Sequence, residues 1–329
     1  MGTTQPTTPG SPAPERQPSD SPGDIRRIFL GPNGLRAGWS VLLFALFWFI
    51  LSNVAGFLLY PLLPGSADAP VAPASSALLE TMQFLPVLGA TFLLSRIERK
   101  PLLAYGYQGR ARVLRFVSGL AWGFIALSAF VLALSKLGFL EFDGISLHGA
   151  AALRDAAEWA GIFLLGALFE ESFLRGYPQF AMTRGIGFWW SALVFSCVFG
   201  FVHRYNPGES PIGLVAAGSI GLVFCLSLWY TGSLWWAVGF HCAWDWAESY
   251  FYGTADSGLI VKGHLFREHA AGPLLWSGGA TGPEGSVLIL PFIALVALFM
   301  FLWWGRRTRS PFAGAAFRPI RPTSSLPDG

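Results

Sequence analysis

The first long apolar stretch of the chain covers residues 38–63 and reads GWSVLLFALFWFILSNVAGFLLYPLL, without one Asp, Glu, Lys, Arg or His. A helix that crosses the hydrocarbon core of a bilayer needs about 20 mostly apolar residues, and this stretch is long enough. The whole chain of 329 residues is 53% hydrophobic and only 12% charged, whereas soluble domains are about 25% charged. Its 14 Trp and 29 Phe suit lipid-facing helices and interfacial belts. The composition therefore predicts an integral membrane protein.

Seven further apolar runs bring the predicted number of spans to eight. They cover residues 77–95, 116–135, 157–183, 188–203, 212–230, 233–250 and 286–304. The predicted fold class is all-α, a polytopic membrane bundle of eight transmembrane helices.

The remaining segments are expected to be tails and one long loop. Residues 1–37 are rich in Pro, Ser, Thr and Gly and predict a disordered cytoplasmic tail without the apolar core of a signal peptide. Residues 38–154 hold the first three helices, and residues 155–250 hold helices four to seven. Residues 251–285 are expected to form an extracytoplasmic loop, followed by helix eight over 286–304 and a basic cytoplasmic tail over 305–329.

Lys and Arg residues are unevenly distributed between the two sides of this bundle. On the side of the two termini there are four Lys and Arg residues in the N-terminal tail and six around the loop after span two. The same side has Arg184 after span four and five Arg residues in the C-terminal tail. The opposite side carries five. Because cytoplasmic loops are enriched in Lys and Arg, both termini are expected in the cytoplasm. The membrane that the helices cross is expected to be a bacterial plasma membrane. The net charge of +3 is too small to indicate a nucleic-acid partner.

Ionisable residues within the predicted spans are concentrated on three helices. Span five carries His203, span seven carries His241, Asp245 and Glu248, and span four carries four such residues: Glu158, Glu170, Glu171 and Arg175. Span two has only Glu80. Since ionisable groups in hydrocarbon are costly, they are functional candidates by default. The clustering predicts one buried polar site. Glu248, near the outer interface, is expected to be solvated, whereas the cysteines, Cys197, Cys225 and Cys242, are expected to be buried single thiols.

Helical spacing relates these polar residues to one another. Glu171 and Arg175 are four residues apart and can pair on one helix face, while Glu170 points about 100° away. Glu170 and His203 lie at equal distances of about 16 residues from the turn at 184–187, which predicts equal depth in an antiparallel hairpin. His241 and Asp245 share one face of span seven.

A carboxylate and two imidazoles can activate water as general base and acid, and the same set can hold zinc. No GxSxG segment, P-loop, dinucleotide-binding glycine fingerprint or HExxH motif is present. Three alternatives stay open: a buried salt-bridge cluster, a proton- or ion-coupled transporter, and a non-catalytic membrane scaffold. The absence of an internal repeat weighs against the transporter.

The segments Glu170-Glu171-xxx-Arg175, Phe199-xxx-His203 and His241-xxx-Asp245 resemble the three motifs of the CPBP intramembrane proteases. This family includes the Ras-converting type of CAAX prenyl endopeptidase and the bacterial Abi proteins. The resemblance covers about residues 155–250 and implies an endopeptidase in which Glu170 activates water with help from His203. It further implies a structural pair, Glu171 and Arg175, and an oxyanion side formed by His241 and Asp245.

The resemblance leaves the cofactor undecided between a metal and a metal-free, glutamate-based mechanism. Asn is common in the family where Asp245 stands, and a charged Asp cannot donate a hydrogen bond to an oxyanion. This departure favours one divalent metal such as zinc, with Glu170, His203, His241 and Asp245 as the candidate ligands. The expected partners are membrane lipid and a protein or peptide substrate, with no nucleic acid.

Overall fold

The computed structural model describes residues 26–32, 34–63, 72–305 and 310–313. The helices are α1 (Arg26–Phe29), α2 (Ala37–Leu59), α3 (Pro73–Ile97), α4 (Arg112–Lys136), α5 (Gly149–Leu174), α6 (Tyr177–Ile186), α7 (Phe188–Val202), α8 (Pro211–Thr231), α9 (Trp235–Asp245), α10 (Leu274–Ser277) and α11 (Ile289–Met300). The strands are β1 (Leu30–Gly31), β2 (Gly34–Leu35), β3 (Leu140–Ile145) and β4 (Phe266–Ala270). The expected disorder of residues 1–37 and most of the predicted C-terminal tail fall outside the described residues.

Every predicted apolar run coincides with helix, and four helical segments are long and apolar enough to cross a membrane by themselves. These are Ala37–Leu62, Pro73–Ile97, Arg112–Lys136 and Pro211–Thr231. Large apolar side chains on the helix surfaces are exposed within the chain, for example Phe57 at 82% and Trp190 at 66%. Such a surface is stable against lipid and not against water. The molecule is therefore an integral membrane protein built mostly from helices.

Several predicted spans are not single α-helices, and the last of them is α-helical over Ile289–Met300 and π-helical over Phe301–Gly305. The run over 157–183 was predicted as one helix, but α5 begins earlier, at Gly149, and ends at Leu174, and α6 follows as a separate helix. Pro178 explains the break, because a proline inside a helix removes one hydrogen bond and collides with the preceding turn. The run over 233–250 is α-helical only to Asp245 and continues as a π-helical segment over Trp246–Tyr252.

The closest packing that positions the polar site is between α4 and α9. A Cβ atom on Gly123 of α4 would collide with the carbonyl oxygen of Phe240, and one on Gly239 of α9 would collide with that of Phe116. Small residues permit this approach of two backbones, as in many membrane helix pairs. The depth and rotation of α9, which carries His241 and Asp245, are thereby fixed against α4.

The bundle is mostly helical, as expected, and it also contains two short antiparallel strand pairs, β1 with β2 and β3 with β4. β3 pairs antiparallel with β4, from Leu140 opposite Ala270 to Ile145 opposite Phe266, with an irregularity between Phe142 and Gly144. This pairing ties the connection between α4 and α5 to the segment over 251–285, which was expected to be a plain loop.

The cysteines also depart from expectation at one position. Cys225 and Cys242 are buried, as expected for single thiols, but Cys197 is exposed on α7. Two neighbours of Cys197, Val194 and Val198, are exposed as well. This side of α7 is therefore an apolar outer face of the bundle and not part of its core.

Candidate active site

The paired acids of the first motif lie near the C-terminal end of α5, just before its break from α6. Arg175 forms the C-terminal cap of α5, and its backbone N–H donates to the Glu171 carbonyl at 2.9 Å. A Cβ on Gly176 would collide with the Ser172 carbonyl oxygen, so the chain can turn here only with glycine. Glu170 and Glu171 consequently lie on the last turn of α5, inside the bundle.

Glu171 and Arg175 form a fully buried ion pair. Arg175 Nη1 lies 3.0 Å from Glu171 Oε1, and neither side chain is exposed. The guanidinium also stacks over the ring of Phe199 on α7, with Cζ 4.4 Å from the ring centroid. Such a cation–π contact is strongest where water is excluded. The pair thus joins α5 to α7.

His241 occupies the centre of the polar cluster. Its Nε2 lies 3.5 Å from Glu170 Oε2 and 3.5 Å from Asp245 Oδ2, and its Nδ1 lies 3.3 Å from Glu171 Oε1. A carboxylate on Nδ1 fixes the rotation of an imidazole ring. The contact with Glu171 joins a motif residue on α5 to one on α9, a connection that spacing within either helix does not reveal.

His203 ends α7 and stands in the 3₁₀ turn His203–Tyr205. Its Nδ1 lies 2.7 Å from the Phe199 carbonyl oxygen, and its ring packs edge-on against the Phe199 ring at 4.6 Å between centroids. A carbonyl oxygen only accepts, so Nδ1 is the donor and, in the neutral ring, Nε2 is the nitrogen with a free lone pair. Phe199 therefore supports both His203 and Arg175.

One cavity of about 470 Å³ brings the predicted site residues together. Glu170, His203, His241 and Asp245 line it, and the remaining wall is largely apolar, including Trp159, Phe163 and Phe224. A concave, mostly apolar pocket with a few convergent polar groups is typical of a ligand or substrate site.

Residues 152–247 match the family model of the type II CAAX prenyl endopeptidases, Rce1-like. The matched residues contain all three motifs, and the match confirms over this segment the resemblance stated from the sequence. No curated protein and no solved structure matches the chain.

Sequence reasoning missed several acids around this Rce1-like segment. Glu80 of α3 lines the same cavity, and its carboxylate lies against Gly166, one turn before Glu170. The signal was available, because Glu80 is an ionisable residue within an apolar span. Asp256 and Glu284 also line the cavity, although they lie in a segment taken for a loop. Glu248 was expected to be solvated but is fully buried.

The candidate metal ligands do not form a compact ligand set. Within the described ranges, the group whose ligand atoms all lie within 4.8 Å of one another is Glu248, Asp256 and Glu284. Glu170, His203, His241 and Asp245 form no such group among the described residues, although His241 lies 3.5 Å from both Glu170 and Asp245. A metal with three protein ligands needs their atoms this close, so the arrangement around Glu170 does not fit the expected metal site.

Proposed function

We propose that the chain is an intramembrane endopeptidase in which Glu170 activates a water molecule to hydrolyse a peptide bond. The observation that carries the proposal is the contact of His241 Nε2 with both Glu170 and Asp245, at 3.5 Å each, on the wall of the cavity. The match of residues 152–247 to a family of endopeptidases supports the same conclusion.

Glu170 is the group best placed to act as general base. Its side chain is 32% exposed, whereas that of Glu171 is fully buried and held by Arg175. Glu170 Oε2 has no hydrogen-bond partner among the described residues. That oxygen lies 3.5 Å from His241 Nε2, and the carboxylate as a whole lines the cavity, where it can accept a proton from water. Glu171 already contacts both Arg175 and His241, and its contact with His241 Nδ1 positions the imidazole ring.

The reaction follows from these placements. The water oxygen attacks the peptide carbonyl carbon while its proton passes to Glu170, and His203 Nε2 helps to hold the water. Protonated His241 donates from Nε2 to the developing oxyanion, and Asp245 balances the imidazolium charge. The carbon–nitrogen bond then breaks, and the leaving amine takes the proton from Glu170.

The decisive experiment compares membranes from cells that carry the wild type, Glu170→Gln or Glu158→Gln. Glu170→Gln keeps the shape of the side chain and removes its basicity, so an uncleaved membrane substrate should accumulate. Glu158→Gln changes an acid on the same helix whose side chain is 47% exposed, and cleavage should continue. Identical peptide profiles for wild type and Glu170→Gln would overturn the proposal.

We further propose that the eight apolar helical segments all cross the membrane, with both termini in the cytoplasm. The excess of Lys and Arg on the side of the termini supports this orientation. Reporter fusions after residue 70 and after residue 320 should then report opposite sides of the membrane. Fusions that report the same side would contradict the eight-span arrangement.

A further inference from the structure

We infer that Glu248, Asp256 and Glu284 form a binding site for a hard divalent cation, with Ca²⁺ as its best representative. One carboxylate oxygen from each residue lies within 4.8 Å of the other two. This site is separate from the proposed water-activating residues, and its existence does not depend on the proposed function.

Glu248 is the residue that demands a partner. It is fully buried, and neither of its carboxylate oxygens has a hydrogen-bond partner among the described residues. A buried ionised carboxylate without a partner costs several kcal/mol or more, so such groups pair, bind a cation or become protonated. The nearest groups are two further carboxylates, which rules out an ion pair within this cluster.

Neighbouring donors already orient the other two acids. Trp244 Nε1 donates to Glu284 Oε1 at 2.9 Å, and Ser257 Oγ donates to Glu284 Oε2 at 2.7 Å. Ser249 Oγ donates to Asp256 Oδ2 at 3.3 Å. Each of these oxygens keeps a second lone pair for a cation. The three carboxylates are therefore held in place before any ion binds.

The charges in this cluster favour the cation-bound state over a state in which three ionised acids face one another without a cation. Three carboxylate oxygens that lie within 4.8 Å of one another repel each other strongly when all three are ionised. A divalent cation relieves the same repulsion without protons. Because the donors are all oxygen, without His or Cys, the site suits Ca²⁺ or Mg²⁺ rather than Zn²⁺.

The ligands come from three separate parts of the chain. Glu248 lies in the π-helical segment after α9, Asp256 follows Gly253 at its end, and Glu284 lies in the 3₁₀ turn Pro283–Gly285 just before α11. A cation bound here would join the end of α9 to the segment over 253–285. Asp256 and Glu284 also line the central cavity, so the cation would fix one of its walls.

Trp244 provides a direct assay, because its indole is hydrogen-bonded to one ligand and can sensitise the luminescence of bound Tb³⁺. The full-length protein in detergent micelles, stripped with EDTA, should show saturable sensitised emission on titration with Tb³⁺. Ca²⁺ should displace the Tb³⁺ and raise the melting temperature. Glu248→Gln should weaken Tb³⁺ binding about tenfold or more, because affinity follows the number of charged ligands.

Two control variants distinguish binding at this cluster from nonspecific binding of Tb³⁺ to other carboxylates. Glu158→Gln removes a partly exposed carboxylate on α5 and should leave the titration unchanged. Trp244→Phe should lower the sensitised emission, because it removes the indole bonded to Glu284, while the melting temperature still responds to Ca²⁺. If Glu248→Gln fails to fold, Asp256→Asn takes its place with the same expected loss.

Three outcomes would overturn the inference. The first is a wild-type protein with neither saturable emission nor a response of its melting temperature to Ca²⁺. The second is equal Tb³⁺ affinity in the wild type and in the folded carboxylate variants. The third is displacement of Tb³⁺ by Zn²⁺ but not by Ca²⁺ or Mg²⁺. None of these measurements uses peptide hydrolysis, so they separate this inference from the proposed enzyme activity.

Discussion

At the scale of single residues, the adjacent acids Glu170 and Glu171 have different surroundings. Glu171 is fully buried between Arg175 and His241, while Glu170 faces the cavity. Two neighbouring residues on a helix point about 100° apart, so one can hold the structure while the other meets substrate. The two surroundings fit the proposed division of this doublet into a structural Glu171 and a water-activating Glu170.

Replacing Glu171 should reduce stability much more than replacing Glu170. Glu171→Gln leaves the guanidinium of Arg175 buried without its counter-charge, at an expected cost of about 3–5 kcal/mol. Glu170→Gln leaves no buried ion unpaired in this way. Melting temperature and the yield of monodisperse protein in detergent measure the difference. Equal losses in the two variants would show that Glu170 is also structural.

The sequence predicted the residues of the site better than their contacts. Helical spacing alone places Glu171 beside Arg175 and His241 beside Asp245, because each pair is four residues apart. The contact of Glu171 with His241 joins residues on α5 and α9, and their separation along the chain carries no such information. Glu248 was misjudged for the same reason, since its burial depends on the segment over 253–285 that folds against it.

At the scale of elements, the pairing of α4 with α9 determines where His241 lies. The backbones meet at glycines, so an added methyl group has no flexible neighbour to displace. The sequence contains this signal as Gly119 and Gly123, two small residues four apart on an apolar span. The break in span four was readable in the sequence as well, because Gly176 and Pro178 interrupt its apolar run.

Gly123→Ala should therefore separate α4 from α9 and displace His241 from Glu171. We expect a clear fall in melting temperature and loss of peptide hydrolysis, because overpacking of a tight contact typically costs 1–3 kcal/mol. Gly161→Ala is the matched control, since a Cβ on this helical glycine of α5 meets no atom within 4 Å. The melting temperature of Gly161→Ala should stay the same or rise, because alanine favours a helix over glycine by about 1 kcal/mol. Equal effects of the two substitutions would contradict the close packing.

At the scale of the whole molecule, the two ends of the bundle are closed by different chemistry. β3 and β4, with the carboxylates around Glu248, join the chain segments at one end. At the other end, Glu98 accepts hydrogen bonds from Arg184, Lys100 and Tyr177, and Arg184 also donates to Ser40. This network connects the end of α3 to α6 and α2. Neither closure was predicted, because both depend on residues far apart in the chain.

The Glu98 network should make stability depend on pH in the acid range. Burial alone would raise the pKa of Glu98, but hydrogen bonds from Arg184, Lys100 and Tyr177 outweigh it and lower the pKa from 4.5 to about 2. Since the folded state binds the proton less readily than the unfolded state, the stabilisation is complete above about pH 4.5. It is lost as the pH falls towards 2.

Glu98→Gln tests this closure directly. At neutral pH the variant should lose about 3 kcal/mol, which corresponds to the lowered pKa at about 1.4 kcal/mol per pH unit. The wild type and the variant should converge as the pH falls, because protonated Glu98 and glutamine then offer the same uncharged contacts to Arg184. The melting temperatures of both proteins are measured between pH 7 and pH 3. Their difference at each pH reports on Glu98 alone, because all other acids are present in both proteins. A gap that stays constant over this range would show that Glu98 acts through packing and not through its charge.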